Sequence, residues 1–154
     1  MTLYEHLLEE AYQEGIMVRE VSLNSNAAGL YMNNKIAINK KVSTTSENTC
    51  ILAEELGHHH SSYGNIIDYN NIENIKQERL ARKLAYDKLI DLNMIAGLVI
   101  NDNLNKFEII EKLNVTEEFF NEAVEYYSQK FGVYKEFENY SIIFYPHLSI
   151  FKKI

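Results

Sequence analysis

Two adjacent carboxylates, Glu54 and Glu55, interrupt the apolar run Cys50-Ile51-Leu52-Ala53-Glu54-Glu55-Leu56-Gly57, which then enters His58-His59-His60, three of the five histidines in the chain. An ionised carboxylate is costly to take out of water unless it is paired, neutralised or bound to a metal. The pattern therefore asks for a cation. Residues four apart lie one above the other on a helix face, so Glu54 and His58 project side by side. Glu55 is turned about 100° from Glu54, but it lies three residues before His58 and stays on that side. The arithmetic is that of His-Glu-x-x-His, in which the outer residues ligate zinc and the inner Glu acts on water. Here Glu54 occupies the first position.

A second helix, expected from about Ile72 to Leu92, carries an apolar stripe of Ile75, Ala81, Ala85 and Leu89, widened by Leu80 and Leu84. Glu78 falls inside that stripe. A cation shared with Glu54 and His58 resolves both anomalies; the alternative is an ion pair with Arg79, Arg82 or Lys83, of which Arg82 has the nearest helical phase. Adjacent histidines point about 100° apart and cannot all reach one ion. His58 alone has the right offset from both carboxylates. His59, four residues after Glu55, is a candidate to orient it from behind the ligands, and His60 is expected in solvent. Gly57 either admits a second backbone or a substrate at close range, or marks the fraying of the helix. Cys50, among apolar neighbours and with no adjoining positive charge, reads as a buried thiol rather than a nucleophile.

The elements that must position these residues begin with an amphipathic helix, capped by Thr2 with Glu5 and stopped at Gly15. Alternation across Ile16–Leu23 predicts a strand. Gly29–Met32 and Lys35–Ile38 flank Asn33-Asn34, residues that tolerate left-handed backbone, and predict a hairpin. Ser46 with Glu47 is expected to cap the helix bearing the carboxylates. Beyond the second helix come a short buried helix over residues 93–101, another around Phe107–Leu113, and a longer one from its Thr116 cap to Gly132. Two extended segments are expected on either side of Pro146.

The chain of 154 residues has the length of one ordinary domain, and its 46% hydrophobic and 24% charged residues fit a soluble globular protein. A single cysteine excludes an internal disulfide framework and fits a reducing compartment. No basic leader or membrane-length apolar run is visible, so a cytoplasmic location is expected. The formal charge of −7 disfavours general nucleic-acid binding. The helix–turn–helix pattern over 106–130 reads as a packing or protein-docking unit, because Glu117, Glu118, Glu122 and Glu125 crowd the helix that would face bases.

The run Leu52-Ala53-Glu54-Glu55-Leu56-Gly57-His58-His59, followed by Glu78-x-x-Ala81-x-x-Leu84-Ala85, resembles the ImmA/IrrE family of metallopeptidases, whose pattern is a His-Glu-x-x-His helix and a later Glu-x-x-Ala-x-x-Phe-Ala helix. The resemblance implies an α+β fold with a zincin-like core, a small antiparallel sheet packed on helices, over residues 1–101. A helical part with short terminal strands would follow over 102–154, continuous with the core. It implies a zinc site made by Glu54, His58 and Glu78, with Glu55 as general base, although Glu54 replaces the usual His and another divalent metal is admissible. Tyr63 is a candidate to stabilise the oxyanion. The implied activity is cleavage of a regulatory protein, typically the helix-turn-helix repressor of a prophage or mobile element. The alternative is a non-catalytic zincin-like binding module, with a structural metal closed by His59 or His60, or with none; a metal-free helical adaptor is the third reading.

Overall fold

A computed structural model of the chain describes residues 1–41, 44–61 and 71–154, excluding the side chains of residues 71–73. Tyr63, the candidate oxyanion residue, lies outside the described residues, as do the other residues of 62–70. The fold is mixed α+β. Contacts divide it into two compact units, Met1–Ala85 and Tyr86–Ile154, and every described candidate ligand belongs to the first.

In the first unit, α1 (Leu3–Gln13) starts on the expected capping box of Thr2 and Glu5 and is followed by Gly15 at φ +75°. Strand β1 (Met17–Val21) is shorter than the alternation implied. Strands β2 (Gly29–Met32) and β3 (Lys35–Asn39) form the expected hairpin, with Asn33 and Asn34 both at positive φ. The sheet is mixed rather than antiparallel, in the order β1-β3-β2, because β1 pairs parallel with β3 and places Val18 opposite Ile36. The cause lies in β3: Ile36 and Ile38 are both 1% exposed, and the most buried strand takes the centre, where both of its edges are paired.

Helix α2 (Thr45–Ser61) packs on α1, β2 and β3 through Leu52, Ala53 and Leu56, all essentially buried. Its start corrects the expectation at Ser46. The Thr44 hydroxyl accepts from the Glu47 amide at 3.2 Å, so the cap lies two residues earlier, while Glu47 remains in the first turn. Cys50 is buried and forms no disulfide.

Helix α3 (Asn71–Leu89) ends before Leu92 because the Asp91 carboxylate takes the amides of Asn93 and Met94, capping the next helix. Its apolar stripe is narrower than the sequence suggested. Ala81, Ala85 and Leu89 are fully buried, but Ile75 and Leu80 are exposed. Glu78 consequently lies at the rim of the packed face, with its side chain 59% exposed.

The two readings of Gly57 are separated by its surroundings. A Cβ there would clash with the main-chain carbonyl oxygen of Ala81 and lie 3.0 Å from that residue's carbonyl carbon and Cα. The glycine is thus the point at which the backbones of α2 and α3 touch, and the helix continues past it to Ser61.

The second unit holds α4 (Leu92–Ile100), α5 (Lys106–Leu113), α6 (Glu117–Phe131) and the antiparallel sheet β4-β5-β6, Tyr134–Glu136, Tyr140–Ile143 and Ser149–Lys152. The two strands around Pro146 were expected; β4 was not, being only three residues long. Tyr127 stacks on Phe131 and Phe144 and donates its hydroxyl to the Ile90 carbonyl at 2.7 Å. Among the described residues no helix is long and apolar enough to cross a membrane.

Two glycine substitutions test this packing in opposite directions. Gly57→Ala should destabilise the protein by about 1–3 kcal/mol, since backbone atoms cannot move aside as a side chain would. Gly97→Ala, in the interior of α4 with nothing nearer its new methyl than the Asn101 side chain at 3.9 Å, should stabilise by about 1 kcal/mol. Denaturant unfolding of the two variants reads both signs.

Candidate metal centre

Glu54 and His58 rise from successive turns of α2, and the Gly57–Ala81 contact brings the first described turns of α3 beside them. Glu78, one turn before Ala81, then reaches across: its Oε1 lies 3.2 Å from His58 Nε2. One ligand atom from each of Glu54, His58 and Glu78 falls within 4.8 Å of the others. His58 and Glu54 are largely shielded, at 16% and 26% side-chain exposure, whereas Glu78 faces solvent. The three donors form a half-open site on the protein surface.

The donor set fits a divalent cation. Two carboxylates and one imidazole offer two oxygens and a nitrogen, a combination that serves zinc and harder divalent ions alike. Arg82, one turn beyond Glu78, is the competitor anticipated by its helical phase. Its Nε lies 3.4 Å from Glu54 Oε1, so it goes to Glu54 rather than to Glu78.

Glu55 is the most buried carboxylate of the group, at 8% exposure. Burial, followed by the negative charges of Glu54 and Glu78, pushes its pKa up to about 8. Glu54 is also raised, mainly by burial and further by Glu78, against the lowering effects of Arg82 and His58. The burial of Glu55 depends on a residue that sequence reasoning passed over. A methyl group on Gly29, the first residue of β2, would stand 3.0 Å from Glu55 Oε1 and 2.6 Å from Ile51 Cγ2. Only a bare backbone lets this carboxylate lie against the strand. The one signal available was a glycine at the mouth of the hairpin.

His59 and His60 turn away from this centre. The carboxylate of Glu14, at the end of α1, lies 3.3 Å from His59 Nε2 and 2.8 Å from His60 Nε2. His59 Nδ1 is 2.7 Å from the Tyr31 hydroxyl. The expected orienting of Glu55 by His59 is replaced by contacts with Glu14 and Tyr31, and His60 is exposed as expected, with Glu14 beside it. Neither supplies the fourth ligand that would close the Glu54–His58–Glu78 site.

The raised pKa of Glu55 has a definite thermodynamic sign. A carboxyl group that is harder to ionise in the folded than in the unfolded protein contributes stability fully below its unfolded value and loses it as pH rises through the folded one. The window runs from about 4.5 to about 8. In chelator-treated protein the melting temperature should fall across that range, and Glu55→Gln should flatten the fall; calorimetry against pH measures both.

No protein-family model, curated protein or solved structure matches the chain.

Proposed function

We propose that the chain is a metal-dependent endopeptidase with a zincin-like first unit, similar to the ImmA/IrrE metallopeptidases, acting on a regulatory protein in the cytoplasm. The observation that carries the reading is the convergence of Glu54, His58 and Glu78 within 4.8 Å, with the buried Glu55 next in sequence to one of them. Zinc, or a harder divalent ion favoured by two carboxylate ligands, is the cofactor this set would hold. Such an ion supplies Lewis acidity, polarising the scissile carbonyl and lowering the pKa of a water toward about 7.

The chain's own residues supply the rest. Glu55 takes a proton from the attacking water as its oxygen bonds to the carbonyl carbon, and returns one to the departing amine as the C–N bond breaks. Its position against Gly29 limits competing solvation. His58, 16% exposed, fixes the inner edge of the site, and the exposed Glu78 lies on the side from which a polypeptide would approach. The candidate substrate class is a helix-turn-helix repressor, on the strength of the resemblance alone.

The Arg82–Glu54 pair favours a second reading, a binding module in which the guanidinium takes the place of the metal. The same experiment separates the two. Zinc-loaded protein is incubated with repressors encoded beside it, and metal content is measured in parallel. Glu55→Gln should retain metal and lower cleavage by about 10²-fold or more, whereas Glu54→Gln with Glu78→Gln should lose cleavage together with the ion held by this centre. Undiminished cleavage by Glu55→Gln, or no metal in the unaltered protein, rejects the peptidase.

A further inference from the structure

The side chains behind the candidate centre make a cluster of their own. Glu14 ends α1, whereas His59 and His60 belong to the last turn of α2, and one ligand atom from each lies within 4.8 Å of the others. Both imidazole Nε2 atoms converge on one oxygen, Glu14 Oε2, at 3.3 Å and 2.8 Å. Bond lengths of about 2.0–2.2 Å to zinc place neighbouring tetrahedral donors about 3.3 Å apart, so small movements suffice to seat an ion among them.

Tyr31 gives the cluster a direction. Its hydroxyl lies 2.7 Å from His59 Nδ1 and 3.4 Å from Asn34 Oδ1, and this contact holds the imidazole with Nε2 toward Glu14. A ring nitrogen turned outward by a hydrogen bond on its other nitrogen is the usual preparation of a metal-binding histidine.

We propose that Glu14, His59 and His60 form a second divalent-metal site, distinct from Glu54–His58–Glu78 and tying the end of α1 to the last turn of α2. Two imidazoles and one carboxylate suit zinc, nickel and copper better than magnesium or calcium. The first site, with two carboxylates and one imidazole, is the harder of the two. The consecutive residues His58 and His59 thus serve different ions, because adjacent side chains on a helix diverge by about 100°. This site is independent of the proposed peptidase activity.

Zinc alone, titrated calorimetrically into the chelator-stripped full chain, tests the proposal. The unaltered protein should bind two equivalents, Glu14→Gln and His60→Gln one each, and the Glu54→Gln/Glu78→Gln protein one. Tyr31→Phe should weaken the second site by about 10–100-fold without removing it. In the Glu54→Gln/Glu78→Gln background, bound copper should show nitrogen splitting from two imidazoles by electron paramagnetic resonance, reduced when His60→Gln is added. One equivalent that survives Glu54→Gln/Glu78→Gln and disappears with Glu14→Gln supports this site even if the first is refuted. Stoichiometry unchanged by Glu14→Gln and His60→Gln, or no binding by Glu54→Gln/Glu78→Gln, overturns it and leaves only proton-bridged ion pairs.

Discussion

The approach of two helix backbones at Gly57 and Ala81 is the constraint on which the candidate centre depends. With main-chain atoms in direct contact there, residues one turn to either side stand within side-chain reach of the neighbouring helix. A wider crossing would leave Glu78, on α3, too far from His58 to share an ion with it. The choice of residue follows: Gly57, Ala81 and Ala85 are small, and what their side chains do not fill the opposing backbone occupies. The helix-propensity penalty at Gly57, about 1 kcal/mol relative to Ala, is offset by the packing that this closeness permits.

Electrostatics gives the site its second character. Three carboxylates, Glu54, Glu55 and Glu78, influence one another strongly enough that burial and mutual repulsion raise both Glu54 and Glu55. Arg82 answers part of that charge through Glu54. It approaches from the solvent side, with half of its side chain exposed, where ion pairs contribute little because water screens them and two long side chains must be held still. At the deeper Glu55, burial and the neighbouring carboxylates favour the neutral form instead. A cation entering among the ligands would share Glu54 with the Arg82 guanidinium.

Much of this was legible in the sequence because the relevant signals are local. The offset from Glu54 to His58 is a statement about helix geometry, and the capping box at Thr2 and the left-handed pair Asn33-Asn34 are determined by a few neighbouring residues. Glu78 could be nominated from its place in an apolar stripe, but its exposure could not, since Ile75 and Leu80 look like core residues until the packing of α3 is known. The parallel pairing of β1 with β3 was hidden for a similar reason: alternation identifies strands but is silent about which one takes the centre. Gly29, Glu14 and Tyr31 were invisible as site residues because each acts across a tertiary contact, and nothing in their flanking sequence marks the partner. The same holds for His59 and His60, whose partner is 45 or more positions earlier in the chain.

The divergence of His58 from its two successors bears on how this stretch can change over time. Exchange of one side chain alters one contact, but a residue gained or lost between Glu55 and His58 would rotate the remainder of the turn by about 100°. The imidazole facing Glu78 and those facing Glu14 would be displaced in the same event. Natural variation here should therefore appear as replacement at constant spacing, with changes of length excluded from the helix.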